Sequence, residues 1–147
     1  MTIHFICRGN AFRSRIAEAY WNSLQIKGWH AISSGTVAAA HSEANKENAK
    51  LVHALLTADG LQAYAKANWD QLTQERLDSG SITIFLNQHV LSEAAKLFVL
   101  PETYSTWDIS DIDETSPLPT TPDEIYSFME KTYPAIIAAV TDLVATL

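Results

Sequence analysis

The run Thr2-Ile3-His4-Phe5-Ile6-Cys7-Arg8-Gly9-Asn10-Ala11-Phe12-Arg13-Ser14 decides how the chain is read. Its first half, Thr2–Cys7, is short, β-branched and aromatic, the composition of a buried strand. Gly9 and Asn10 then make a turn. From Ser14 to Lys27 apolar side chains return at helical spacing, with Ile16, Tyr20 and Leu24 on one stripe and Ala17 and Trp21 beside them, until Gly28 ends the run. A strand joined to a helix by so short a loop turns successive backbone N–H groups toward one point, with the positive end of the helix dipole behind them. Gly9 and Asn10 tolerate the left-handed backbone that such a nest requires.

Cys7 and Arg13 stand at the two ends of that loop. Arg13 offers a bidentate fork for an oxyanion, and the same field stabilises negative charge on the Cys7 sulfur. A thiolate facing a bound phosphate attacks phosphorus in line and forms a phosphocysteine, with Ser14 placed to donate to the departing sulfur. A lone cysteine at a strand end is also what a small buried hydrophobe looks like, and the Cys-x5-Arg spacing alone is a weak signal. The strand before it and the helix after it give it weight. The chemistry also needs an acid for the leaving oxygen. Trp107-Asp108-Ile109-Ser110-Asp111-Ile112-Asp113-Glu114 offers several carboxylates, and Asp108, Asp111 and Asp113 stay open as candidates.

Outward from the opening motif, His30–Ser33 reads as a second strand ending at Ser34-Gly35-Thr36. Ser42–Ala58 reads as a helix with Leu51, Leu55 and Ala58 on its apolar side. Tyr64–Leu77 suits a loop and a short helix. Ser81–Asn87 and Ala95–Leu100 read as strands, with a helical turn over His89–Ala94 between them. Pro101–Pro122 reads as a long surface loop, and Asp123–Leu147 as a final helix kinked by Pro134. Strands alternating with helices predict an α/β fold in three layers, a parallel sheet with helices on both faces. Its ligand site should lie at the C-terminal strand ends, where Cys7 and Asn87 fall.

The chain has 147 residues and a mass of 16.3 kDa, which fits one domain over 1–147. The mass predicts a folded surface of ~7,500 Å² against ~24,000 Å² unfolded, enough burial to hold the fold without metal or disulfide. The net charge of −7 disfavours nucleic acid and anionic membrane as partners. One cysteine excludes an internal disulfide and a four-cysteine zinc site and fits a reduced, cytoplasmic setting. The N-terminus has no signal-peptide pattern, and no apolar run is long enough to span a membrane. His4, His30, His41, His53 and His89 are scattered, without metal-ligand spacing, and read as structural or surface residues.

The chain resembles the low molecular weight protein tyrosine phosphatase family. That family opens with a strand, a loop of the form C-x-G-N-x-x-R-S, and a helix containing A-E-A. Here the run is Cys7-Arg8-Gly9-Asn10-Ala11-Phe12-Arg13-Ser14, followed by Ala17-Glu18-Ala19. Ser33-Ser34-Gly35-Thr36 is similar to the family's S-A-G-T, and Asp111 falls on the position of its general acid. The resemblance implies a four-stranded parallel sheet flanked by helices and a cysteine-dependent phosphomonoesterase that needs no cofactor or metal. It implies Cys7 as nucleophile, Arg13 as phosphoryl ligand and Asp111 as acid. Arg8, Gly9, Asn10, Ala11, Phe12 and Ser14 would form the phosphate cradle, with Ser33 helping Asn10 hold it. The partners implied are a phosphorylated protein, phosphotyrosine first, or a small phosphomonoester, and inorganic phosphate or another oxyanion.

The sequence departs from the family pattern at several places. Ile112, Asp113 and Glu114 follow the acid where proline and tyrosines are usual. Asn87 replaces an aspartate. Phe12 stands where a second cysteine is common, so no neighbouring thiol can form a disulfide with Cys7. Tyr64–Gln71 has no counterpart of a histidine that commonly supports the loop. Two other readings share the scaffold: an arsenate reductase relying on an external thiol, since an internal relay needs further cysteines, and an oxyanion- or phosphoprotein-binding module with weak acid catalysis.

Overall fold

The computed structural model describes residues 1–147. Four strands, β1 (Thr2–Cys7), β2 (His30–Gly35), β3 (Ile82–Phe85) and β4 (Ser105–Thr106), form one parallel sheet in the order β2-β1-β3-β4. The chain winds first to one side of β1 and then to the other. That reversal opens a crevice beyond the C-terminal ends of β1 and β3, the place where ligands bind in open α/β sheets. Cys7, the last residue of β1, pairs with Gly35, the last residue of β2.

Alternation along β1 divides the core. Ile3, Phe5 and Cys7 join Ile84 and Leu86 on the face covered by α1 (Arg13–Ser23), α2 (Ser42–Ala58) and α5 (Pro122–Ala145). Ile6 joins Phe85 on the other face, under α3 (Gln74–Ser79) and α4 (Gln88–Leu97). Both faces are apolar because both are covered, which is why the strands carry continuous rather than alternating hydrophobicity. The exposed area of 7473 Å² matches the value expected for the mass.

Several boundaries differ from the sequence reading. Ala95–Leu100 is not a strand. α4 runs through Leu97, so the turn anticipated over His89–Ala94 is the body of a helix. Asn87 caps it, its Oδ1 accepting from Val90 N at 3.0 Å, and Val90, Leu91 and Ala94 put one helical face on the sheet. The fourth strand is instead Ser105–Thr106, inside the segment read as loop. It is short enough that its pairing, not its pattern, defines it. α1 stops at Ser23, four residues early, where Gln25 takes a positive φ of 52° before Gly28. Leu24 is therefore exposed, while Trp21 is fully buried. On α2 the buried side is Val52, Leu55 and Leu56, with Leu51 half-buried against the same core and Ala58 exposed. α5 begins with Thr121 as cap and Pro122 in its first turn, and it continues through Pro134. No helix is long and apolar enough to cross a membrane.

His4 is the one histidine that is fully buried. Its Nε2 shares a hydrogen bond of 2.8 Å with Ser34 Oγ, and its Nδ1 has no partner. Burial, reinforced by the nearby charges of Arg76 and Lys66, pushes it down from 6.5 to about 3. The unfolded chain therefore takes up this proton first as pH falls. The stability associated with neutral His4 is present above pH 6.5 and declines from there toward pH 3. The loss is about 2 kcal/mol by about pH 5. Buried Glu18, held above its ordinary value by desolvation, works in the opposite direction. Replacing His4→Gln removes only the histidine contribution. The gap in unfolding free energy between wild type and variant, measured by denaturant titration, should shrink by about 2 kcal/mol between about pH 7.5 and pH 5.

Candidate active site

The loop between β1 and α1 is held by one side chain. Asn10 has a positive φ of 57°, a conformation that asparagine tolerates better than most residues. Its Oδ1 accepts from the backbone N of Asp70 at 2.8 Å. An amide N–H can only donate, so this contact fixes which end of the Asn10 amide is which. Nδ2 then donates to Ser14 Oγ at 2.9 Å and to Ser33 Oγ at 2.8 Å. Ser14 accepts from Asn10, so its own proton is free for Cys7 Sγ, 2.9 Å away. The backbone N of Asn10 lies 3.3 Å from the same sulfur. Ser33 in turn donates to Glu18 Oε2 at 2.5 Å.

Behind Ser33 and Asn10 lies a layer of cations. Lys66 Nζ and Arg76 Nη2 both donate to Ser33 O at 3.0 Å. Lys66 also contacts Asp70 Oδ2 at 2.9 Å and Glu18 Oε2 at 3.6 Å. Arg15 donates to Asn10 O at 3.2 Å and to Lys66 O at 2.6 Å. Gly35 permits the closest approach of all, since a Cβ there would lie 2.3 Å from Arg8 O. Thr36 N and Val37 N donate to Cys7 O and Arg8 O, both at 3.0 Å, which pins the loop to the end of β2. Asn45 on α2 donates to Gly9 O at 2.8 Å. No side chain caps α1, so its N-terminal dipole is aimed at the loop.

The acidic segment closes over the other side. Trp107 N and Ile109 N donate to Phe85 O and Leu86 O at 2.8 and 3.0 Å, carrying the chain past the end of β3. A short 3-10 turn, Ile112–Glu114, follows with Asp111 as its cap. Asp111 Oδ1 accepts from Ile112 N at 2.9 Å, while Glu114 Oε1 accepts from Asp111 N at 2.7 Å. Asn87 Nδ2 donates to that same Glu114 oxygen at 2.8 Å.

Arg13 joins loop and acidic segment. Its Nη1 donates to Ile109 O at 2.8 Å, and its Nη2 stands 3.2 Å from Asp111 Oδ2 without forming a hydrogen bond. The guanidinium is 1% exposed. Arg8 makes a second tie, with Nε on Glu93 Oε1 and Nη1 on Asp113 Oδ2, each at 2.9 Å. Burial alone would raise Glu93, but hydrogen bonds from Arg8 and Thr36 outweigh it and hold it below the ordinary carboxylate value.

Cys7, Arg13 and Asp111 meet on one cavity of about 380 Å³, together with Arg8, Gly9, Ala11 and Phe12. Asn10, Ser14 and Ser33 are buried behind the sulfur. The three candidate carboxylates separate here. Asp111 lines the cavity against Arg13, Asp113 lines it but is tied to Arg8, and Asp108 does not line it. The arrangement can hold an oxyanion between Arg13 and the loop amides, over the sulfur. The sequence reading assigned Arg8 to the backbone cradle, and its side chain as a clasp went unnoticed. Glu18, Asn45, Lys66, Asp70 and Glu93 were missed as supports, because nothing local to them marks a contact made across the fold. Glu114 did carry a signal, its position three residues after Asp111 being a capping-box pattern.

The sequence matches no protein-family model and no curated protein. Solved structures match over the whole chain. A low molecular weight protein tyrosine phosphatase from T. tengcongensis superposes with TM-score 0.72 at 18% identity, covering 100% of this chain and 99% of that one. The enzyme of that kind from Streptococcus pyogenes gives 0.71 at 16% identity, covering 99% and 92%. The YwlE arginine phosphatase from Geobacillus stearothermophilus gives 0.59 at 19% identity, covering 99% and 94%. The chain therefore has the fold of the low molecular weight protein tyrosine phosphatases.

Removing the Asn10 side chain should loosen the whole loop. Asn10→Ala leaves two buried serine hydroxyls and the Asp70 amide without their partner and keeps an unfavourable φ. A loss of about 3 kcal/mol is expected in urea unfolding. Asn10→Gly relieves the backbone alone and should recover about 1 kcal/mol of it. Equal losses in the two variants would show that the left-handed backbone contributes nothing.

Proposed function

We propose that the chain is a cysteine-dependent phosphomonoesterase. The observation that carries this reading is the hydrogen-bond polarity around Cys7. Asn10 donates to Ser14, which leaves the Ser14 proton free to turn to the sulfur, and the backbone N–H of Asn10 points at it as well. Those are the surroundings of a thiolate rather than of a packed thiol. The whole-chain likeness to phosphatases supports the same reading.

In this mechanism the phosphoryl group enters with its oxygens on Arg13 and the loop amides of Arg8–Ser14. The Cys7 thiolate attacks phosphorus and forms the S–P bond as the P–O bond to the leaving group breaks. Asp111, at the cavity wall, gives its proton to the departing oxygen. The ionised Asp111 then takes a proton from water as that water attacks phosphorus, the S–P bond breaks, and phosphate and thiolate are released. Ser14 donates to the sulfur as its charge returns. Arg8 holds the acidic segment through Asp113, which keeps Asp111 over the cradle.

Phosphotyrosine on a protein is the first substrate reading. A second, phosphoarginine, is favoured by the cavity walls. They carry the carboxylates of Glu47 and Asp113, which offer charge for a guanidinium, while their one phenyl ring, Phe12, is largely buried. Turnover of both phosphoamino acids under one set of conditions ranks the two.

Cys7→Ser should abolish release of phosphate from an aryl phosphate, and Asp111→Asn should slow it by ~10²–10⁴-fold, most for poor leaving groups. Undiminished turnover by Cys7→Ser would falsify the phosphocysteine route.

A further inference from the structure

A second cavity, of about 670 Å³, lies between α2 and the segment Ala65–Trp69. Its lining includes Arg15, Lys46, Lys50, Lys66 and His53, and not one aspartate or glutamate. Seventeen acidic residues against ten lysines and arginines make that grouping unusual in this chain. Lys46, Lys50 and His53 share one side of α2, at helical spacing. The remaining walls are apolar: Leu56, the small side chains of Ala49, Ala65 and Ala67, and the Trp69 ring.

Arg15 sets this groove apart from a basic surface patch. It is 4% exposed, yet both of its hydrogen bonds go to neutral carbonyls, Asn10 O and Lys66 O. No carboxylate oxygen lies within 4.0 Å of it, and Glu18 and Asp70 complement its charge only from further off. A buried guanidinium without a contacting ion-pair partner gains from a closer negative charge. Lys46 and Lys50 meet Glu43 and Glu47 only in exposed pairs of the kind that contribute little. Lys66 alone is engaged by carboxylates in a sheltered setting, Asp70 and Glu18.

We propose that this groove binds a small organic polyanion with an aromatic body, of the class of a nucleoside polyphosphate. The anionic groups meet Lys46, Lys50 and His53 at the rim and Arg15 at the floor. The aromatic body lies against Trp69 and Leu56. The volume is that of a pocket for a ligand of this size. The site is separate from the cavity over Cys7, since the two share no lining residue.

The probe is ATP in metal-free buffer, followed by tryptophan fluorescence and by equilibrium dialysis, with and without orthovanadate to occupy the cradle over Cys7. Saturable binding that survives orthovanadate is expected. In Trp69→Phe the fluorescence change should disappear while dialysis still detects binding. Lys46→Glu combined with Lys50→Glu changes two exposed side chains and leaves the core intact. It should weaken ATP by at least about tenfold, with only a small fall in the unfolding midpoint from the new like-charge pairs with Glu43 and Glu47. Tripolyphosphate, which lacks the aromatic body, should bind more weakly than ATP. The proposal is overturned by no saturation up to about 10 mM, by binding that orthovanadate abolishes, by indifference to the double charge reversal, or by equal affinity for tripolyphosphate. These outcomes concern the groove alone, and loss of phosphatase activity in Cys7→Ser has no bearing on them.

Discussion

The structure depends on one amide side chain being saturated. Asn10 sits where the backbone is least favourable for an ordinary residue, and its three side-chain contacts run to Ser14, Ser33 and Asp70. Each contact is buried or half-buried, so each lost partner would leave a polar atom without water to replace it. The direction of these bonds matters as much as their number. Had the amide faced the other way, Ser14 would have had to donate to Asn10 and could not also have donated to Cys7. The hydrogen bonding open to the sulfur therefore depends on a backbone N–H on Asp70, far away in the sequence.

Charge fastens the second half of the site to the first. Arg8, in the loop after β1, and Arg13, the first residue of α1, both end on the segment after β4. Arg13 is buried and its geometry is fixed by Ile109 O, whereas Arg8 is partly open and balanced between Glu93 and Asp113. The first tie fixes a guanidinium fork at the wall of the cavity over Cys7. The second positions the loop that carries Asp111. A lysine at either position would lose the planar, multi-donor geometry that lets one side chain serve two partners.

The reading of the sequence succeeded where local rules suffice. The opening strand, the glycine–asparagine loop and the limits of α2 followed from short-range pattern, whereas Asp111, which lines one cavity with Cys7 and Arg13, was singled out from Asp108 and Asp113 only by the family resemblance. It failed at Ala95–Leu100, where an apolar run of strand length belongs partly to a helix whose cap, Asn87, lies eight residues earlier. It failed again at Ser105–Thr106, since two residues show no periodicity and become a strand only by pairing with Ile84 and Phe85. The supporting residues Glu18, Lys66 and Asp70 stayed hidden for a different reason. Each is an ordinary charged residue until the fold brings it behind the loop.

The distances between partners along the chain have a further meaning. Residues 7 to 14 rest on residues 33, 45, 70, 93, 109 and 113, so β2, α2, α4, the segment before α3 and the segment after β4 each contribute. A nascent chain that has made only its first half holds Cys7 and Arg13 but not the ties that orient them. The surroundings of the sulfur are thus completed last, when the final loop has docked. A fragment ending before residue 109 would keep the motif and lack the instrument.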